Sequence, residues 1–519
     1  MVDGRAPAGS GDDRAERGLE RQAVGGLLWM LSGAGSQALL RLLLMLILAR
    51  LLGPEAFGIV GAALVVVHIA LVFSNLGISS ALVQRAELEE RHVHTAFALA
   101  LCSGALVTLV VQLLAPWIAA FFDFDGLTAV LRAMGLVPLL ANFGVVAEGL
   151  MRRAFAFRRI AIISVISFFV GYGLVGVGLA VMGAGVWALV GASLTEFGAR
   201  AAMQLASRPH PKTGPLDLDA LWHILVFSGG LTLRRFGHQL SQGLDNIVVG
   251  RWLGAEALGL YGRAYQLVSM PPATLGKAMG AVMFPVLSRV QDDRARLAAA
   301  YRRSTAVLAL LAIPAAVAVI VLAPELITVL LGKDWLGVIV PLQILAPGIF
   351  FRLVFQLTDA LGMAAGTVYA VAWRHGALAA AVLAGALIGQ QWGLPGVAFG
   401  VLAAQTFSYF LLTQLSLRLT SLSVGDLVAA HGRGLVLGAL VGVVLWLLVV
   451  SLRSIGLAPA ITLGVAVSLL AAAVLVMIRL RLIGPEGLWL LESLAGRLPR
   501  RLALLPRLLG LRNPAAAGI

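Results

Sequence analysis

Two adjacent arginines and a histidine interrupt an apolar run, "WHILVFSGGLTLRRFGHQLSQGLDNIVVG", from Trp222 to Gly250. On a helix turning 100° per residue, Arg234, His238, Ser241 and Asp245 fall within about 60° of one another. Arg235, Gln239, Gln242 and Asn246 make a second stripe about 100° further round. Nearly half of such a helix is polar at mid-membrane depth, and that half cannot face lipid. A charge inside a span costs roughly 2.5–3.5 kcal/mol on insertion scales. Two neighbouring guanidinia therefore call for an anionic counterpart, and arginine's planar donor fork matches phosphate. The first apolar run offers Gln37 and Arg41 with the same four-residue spacing. Together these residues predict a cationic cavity for an amphiphile with an anionic head. The candidate substrate-binding residues are Gln37, Arg41, Arg234, Arg235, His238, Gln242, Asp245, Asn246 and Arg352. His68, Asn75, Arg132, Arg263, Lys277 and Asp359 are further polar groups within apolar runs. Of these, Arg132, Arg263 and Asp359 read as snorkelling or locally paired.

Other chemistries are weakly signalled. Asp123 and Asp125 in "FDFDG" form a lone Asp-x-Asp pair. His92 and His94 beside Glu89 and Glu90 read as a solvated loop. Lys277 in "TLGKAMG" lacks the spacing of a phosphate-binding loop. The single cysteine, Cys102, lies in an apolar run and reads as packing. No catalytic residue, metal or cofactor is expected, and the chain reads as a carrier rather than an enzyme.

The elements that must position these groups are membrane helices. Of 519 residues, 60% are hydrophobic and 12% charged, where a soluble domain carries about 25% charged residues. Fourteen apolar spans can be placed between residues 24 and 479, each near the 20 or so residues that a bilayer requires. The net charge of +14 sits in the loops, which is a topology signal and not a nucleic-acid groove. One side holds 28 of the 39 Lys and Arg residues and the other holds 4. That bias places both termini in the cytoplasm. Residues 1–22 read as a disordered tail. Residues 481–519 read as a basic segment able to lie on anionic inner-leaflet lipids.

A repeat organises the spans. "RLLGPEAFGIVGAA" (Arg50–Ala63) and "RWLGAEALGLYGRA" (Arg251–Ala264) agree at eight of fourteen positions with an offset of 201. Six spans separate the copies, so both run the same way across the membrane. That is a parallel repeat. It predicts an all-helical membrane protein of two facing six-helix bundles, 23–210 and 211–420, followed by two added helices in 421–480. Gly53 and Gly254 are expected to end helices in a left-handed conformation. Glu55 and Glu256 would open the next helices, and Gly58, Gly61, Gly259 and Gly262 would permit close helix contact. Two bundles with a site near the midplane suit alternating access.

The chain resembles the Wzx-type polysaccharide flippases of the multidrug/oligosaccharidyl-lipid/polysaccharide exporter superfamily, MATE-like proteins, and most of all the colanic and teichuronic acid exporter branch. The likeness rests on "ARLLGPEAFGIVGAA" (Ala49–Ala63), "FSNLGISSALVQR" (Phe73–Arg85), "DNIVVGRWLGAEALGLYGRAYQLVSMP" (Asp245–Pro271), "FPVLSRV" (Phe284–Val290) and "LLGKDWLG" (Leu330–Gly337). It implies movement of an undecaprenyl-pyrophosphate-linked oligosaccharide to the outer leaflet of a bacterial cytoplasmic membrane, for exopolysaccharide or lipopolysaccharide synthesis. It also implies polysaccharide polymerase or assembly proteins as partners, and a binding role for Arg41, Arg234 and Arg235. Two alternatives stand beside it. A membrane polymerase or ligase would need a sizeable outward loop, and an ion-coupled small-molecule exporter would need an acidic cavity.

Overall fold

The computed structural model describes residues 39–85, 87–210 and 242–479, with isolated positions between 217 and 240. Gln37, Arg234, Arg235, His238 and the two terminal segments lie outside the described residues. Among the described residues every regular element is helical. In chain order they are α1 (39–51), α2 (Pro54–Asn75), α3 (Ile78–Gln84), α4 (Glu90–Phe122), α5 (Leu127–Met134), α6 (Val137–Arg153) and α7 (Phe157–Phe168). A π-helical segment (Phe169–Gly176), α8 (Val177–Val181) and α9 (Val186–Ser207) follow. After the largely undescribed stretch come α10 (Leu244–Arg289), α11 (Arg294–Leu330), a 3₁₀ turn (Lys333–Val338), α12 (Ile339–Leu345) and α13 (Gly348–Ala364). The described part ends with α14 (Val368–Gly389), α15 (Gly393–Thr420), α16 (Val424–Ser454) and α17 (Pro459–Arg479).

Seven described helices are long and apolar enough to cross a membrane, and α12 with α13, bent by 50°, makes up to eight. One of the seven, Tyr369–Thr420, is 52 residues long. It is a hairpin: the chain turns at Gly393 (φ +68), and Gly385 and Gly389 of α14 lie on the backbone of Gly400 and Gly396 of α15. Helix α9 carries Glu196, Arg200 and Gln204 and is not among the seven. The chain is thus a multi-pass membrane protein, all-helical among the described residues.

Two compact units divide the chain: Met1–Gly243 with Gly254–Gly259, and Leu244–Leu253 with Leu260–Ile519. In the first, a buried amide ties three helices. Asn142 of α6 donates to the carbonyls of Ser74 (3.0 Å) and Ala100 (2.8 Å), and Ser103 of α4 also donates to Ser74 (2.7 Å). Without a hydrophobic drive between helices in lipid, such bonds and close van der Waals packing hold a bundle together. In the second unit, Gly434, Gly438 and Gly442 of α16 receive Ala309, Ile313 and Val317 of α11. The register advances four residues on both helices, so the two run parallel. At the far end Arg453 donates both Nε and Nη2 to the Glu325 carboxylate, at 2.7 and 2.9 Å.

The repeated motif touches itself. Gly254–Gly259, the middle of the second copy, belongs to the first unit. A Cβ on Gly58 would meet the Ala255 carbonyl, and one on Gly259 would meet the Pro54 carbonyl. Under the offset of 201 these two contacts exchange into one another, as a two-fold relation between motif copies requires. A Cβ on Gly61 would meet the Leu258 side chain at 3.7 Å, while among the described residues one on Gly262 would meet nothing within 4 Å.

One expectation is corrected. Gly254 does take a positive φ of +90°, but Gly53 is extended, with φ −70° and ψ 167°. The next residue explains the difference. Pro54 confines its predecessor to extended backbone, whereas Ala255 imposes nothing on Gly254. Equivalent glycines in the two copies therefore do different work. Among the described residues neither has a neighbour that a Cβ would strike. Gly53→Ala should leave thermal stability almost unchanged, while Gly254→Ala should cost about 1–3 kcal/mol through backbone strain alone. Gly58→Leu should be worse than either, because a backbone carbonyl occupies its space. Unfolding midpoints of the three purified variants check the order.

Candidate functional site

Gly254 turns α10 back on itself. A straight helix would carry 16 residues over about 24 Å, yet the Tyr261 hydroxyl donates to Asp245 Oδ2 at 2.8 Å. Asp245 is 2% exposed. Its other oxygen accepts the Asn246 backbone N–H at 2.9 Å, at a helix start where the peptide dipoles favour negative charge. One turn along, the Tyr265 ring lies 4.4 Å beneath the guanidinium of Arg352. Arg352 is within electrostatic reach of Asp245, and its Nε is buried with no hydrogen-bond partner among the described residues. A further turn along α13, Gln356 donates to the Pro272 carbonyl at 3.1 Å. Helix α13 thus presses a cation and an amide onto the aromatic face of α10. Cation–π contact is worth about 2 kcal/mol or more when desolvated. The Tyr265 side chain also hydrogen-bonds Arg352, and the donors that bind oxyanions lie on the guanidinium edge, which includes the unbonded Nε.

The helix expected over 222–249 is not continuous up to Asp245. Gln242 and Gly243 form a turn, and the Gly243 N–H bonds back three residues to Leu240 at 3.1 Å. Glycine weakens a helix at this point. Asp245 and Asn246 therefore open a new helix instead of extending the stripe of Arg234 and His238, and Gln242 is exposed in the turn. In the first unit, Arg41 is exposed on α1 with its guanidinium 5.3 Å from the Phe168 ring centroid, and it interacts electrostatically with His68. The structure brings Asp245, Asn246 and Arg352 into one cluster and places Arg41 and Gln242 in the other unit.

Three further polar groups of the sequence have local partners. His375 Nε2 and Asp359 Oδ1 are 2.9 Å apart. Arg263 donates to Gln266 at 2.6 Å. His92, in "HVH", accepts the Glu89 N–H in a capping box. Among the described residues no group of three or more His, Cys, Asp or Glu side chains could hold a metal ion.

A second cluster escaped the sequence reading. A cavity of about 890 Å³ in the first unit is lined by Arg152, Arg153, Arg200, Glu148 and Gln204, with Phe155, Phe157 and Phe197 among its apolar walls. Arg152 binds Glu148 at 2.6 Å, Gln204 donates to the same carboxylate at 2.9 Å, and Arg200 pairs with Glu196. These arginines count in the sequence as loop charges that set topology. The signal that distinguishes them is the four-residue Glu-to-Arg spacing, present twice, on helices that meet.

The sequence profile of a family described as "Polysaccharide biosynthesis protein" matches residues 47–340. The chain is 25% identical to the lipopolysaccharide biosynthesis protein WzxC of Escherichia coli (strain K12), over 81% of this chain and 89% of that one. It is 29% identical to the succinoglycan biosynthesis transport protein ExoT of Rhizobium meliloti (strain 1021), over 56% and 58%. In fold it is similar to the lipid II flippase MurJ in an inward closed conformation, with a TM-score of 0.64 at 13% identity, covering 84% of this chain and 99% of that one. It is also similar to an inward-facing multidrug resistance MATE family transporter of the MOP superfamily, with a TM-score of 0.61 at 16% identity, covering 76% and 98%.

The Asp245–Tyr261 bond yields a prediction. Tyr261→Phe leaves a buried carboxylate short of a donor and should destabilise the protein by about 1–3 kcal/mol. Combined with Asp245→Asn in a double-mutant cycle, the two losses should fail to add. Additive unfolding free energies would show that the bond contributes nothing.

Proposed function

The chain belongs to the polysaccharide biosynthesis protein family, and from that premise we propose that it flips an undecaprenyl-pyrophosphate-linked oligosaccharide from the cytoplasmic to the outer leaflet. The supply would serve exopolysaccharide or lipopolysaccharide assembly at a bacterial cytoplasmic membrane. Several observations support this reading. The lipid II flippase MurJ and a MATE family transporter share the fold, and one relative is a succinoglycan biosynthesis transport protein. The observation that carries it is Arg352: a guanidinium in a membrane helix, stacked on Tyr265, with a buried Nε that lacks a protein acceptor among the described residues. A diphosphate head would supply that acceptor, and the cost of a cation in the span is then offset by the cargo. Arg41, Arg234 and Arg235 are proposed to act with it, and Gln37, His238, Gln242 and Asn246 to meet the sugar hydroxyls. Asp245, bonded to Tyr261, would hold the Tyr261–Tyr265 face in place under Arg352. The parallel repeat supports alternate opening of the two halves to either side. Polymerase or assembly proteins would receive the product, and the basic 481–519 segment would rest on anionic lipids.

Arg352→Ala should abolish polysaccharide export at unchanged membrane abundance, with the lipid-linked saccharide accumulating on the inner leaflet. Arg352→Lys should retain part of the activity, because the charge survives but the fork does not. The Arg234→Ala/Arg235→Ala double variant should also lose export. Export at the wild-type rate in both alanine variants would remove the anion-binding role.

A further inference from the structure

The cavity of the first unit is better equipped than a topology signal needs to be. Its lining holds three arginines, Arg152, Arg153 and Arg200, against one glutamate, Glu148. Arg200 Nε is buried without a hydrogen-bond partner among the described residues. Arg153 donates to the carbonyls of Leu82 and Val83, at 3.2 and 3.4 Å, and to that of Arg85. It thereby fixes the end of α3, which forms one wall. Asn75, Gln84 and Gln204 add amide donors. Phe155, at the bend between α6 and α7, has a φ of +52°, a left-handed backbone that aromatic residues rarely adopt and that persists where surroundings enforce it. Its ring packs edge-on to Phe157, with centroids 6.0 Å apart. The volume, about 890 Å³, is far beyond what one phosphate fills and lies in the range of sites for whole small molecules. By the distribution of basic loops, the Arg152–Arg159 loop and the Arg200–Arg208 end of α9 would face the cytoplasm.

We propose that this cavity is a loading site for the phosphate-and-sugar head of an isoprenoid lipid, occupied before transfer to the cluster around Arg352. The proposal rests on the transport function proposed above. Arg152 and Arg200 would hold the phosphates, since each can turn its fork from its i−4 glutamate towards a more highly charged oxyanion. The amides and phenylalanines would receive the sugar and the first isoprene units.

The test uses the full chain in detergent, with farnesyl pyrophosphate, inorganic pyrophosphate and farnesol as probes in titration calorimetry. Arg152→Gln, and the charge-neutral pair Glu196→Gln/Arg200→Gln, should each weaken farnesyl pyrophosphate binding at least tenfold, and Arg200→Lys should restore part of it. Cys102→Ser/Gln84→Cys provides a second readout. Maleimide labelling of that position should slow when farnesyl pyrophosphate is bound and not with farnesol. Unchanged affinity in folded variants, or labelling indifferent to the ligand, would overturn the site. Equal affinity for inorganic and farnesyl pyrophosphate would reassign it to a soluble phosphate compound and overturn the lipid-head assignment. Binding is read without transport. Normal affinity in the cavity variants therefore removes this site alone, whereas export unaffected by Arg352→Ala bears only on the transport role of that residue.

Discussion

Hydrocarbon offers no solvation to a charge, so every ionic or amide group in a membrane helix must find its counterpart in the protein or in the cargo. That constraint orders the described parts of this chain. Glu325 is paired with Arg453, and the Asn142 amide nitrogen donates to two carbonyls on neighbouring helices. Asp245 is satisfied by Tyr261 and a backbone amide. Arg352 is a case where the protein supplies a π-face and leaves a buried nitrogen without an acceptor among the described residues. A fully compensated charge is a structural fastener. The incompletely compensated Arg352 is the group proposed to bind, where cargo would complete the structure.

Close helix approach makes such compensation possible. The hairpin of α14 and α15, the seam of α11 with α16, and the self-contact of the repeat all place glycine where any side chain would strike backbone or a neighbouring residue. Polar groups can then reach across short gaps. The corner at Gly254 has the further effect of carrying Tyr261 to Asp245, which a straight helix would keep about 24 Å apart.

The helical class, the multi-pass membrane character and the family were legible in the sequence, because apolarity and a repeated glycine motif are local signals. The parts that were not legible depend on context. Gly53 and Gly254 align perfectly, yet one is extended, because only Pro54 restricts its neighbour. The polar stripe from Arg234 to Asp245 looks regular, but a turn at Gln242–Gly243 interrupts it. Arg152 and Arg200 read as loop charges, since nothing in one helix reveals that another brings a second Glu-to-Arg pair beside it. The Arg352–Tyr265 stack joins residues 87 apart in sequence, a separation no periodicity reports.

Transbilayer movement of the cargo is the most direct test. Purified full-length protein would be reconstituted into vesicles with a fluorescent isoprenoid-pyrophosphate saccharide, and the inner-leaflet pool followed by its exposure to an impermeant quencher. The expected result is quenching that reaches the inner pool in protein-containing vesicles, faster than in empty ones, while a labelled phospholipid stays protected. Protection of the saccharide lipid equal to that in empty vesicles would contradict a flippase.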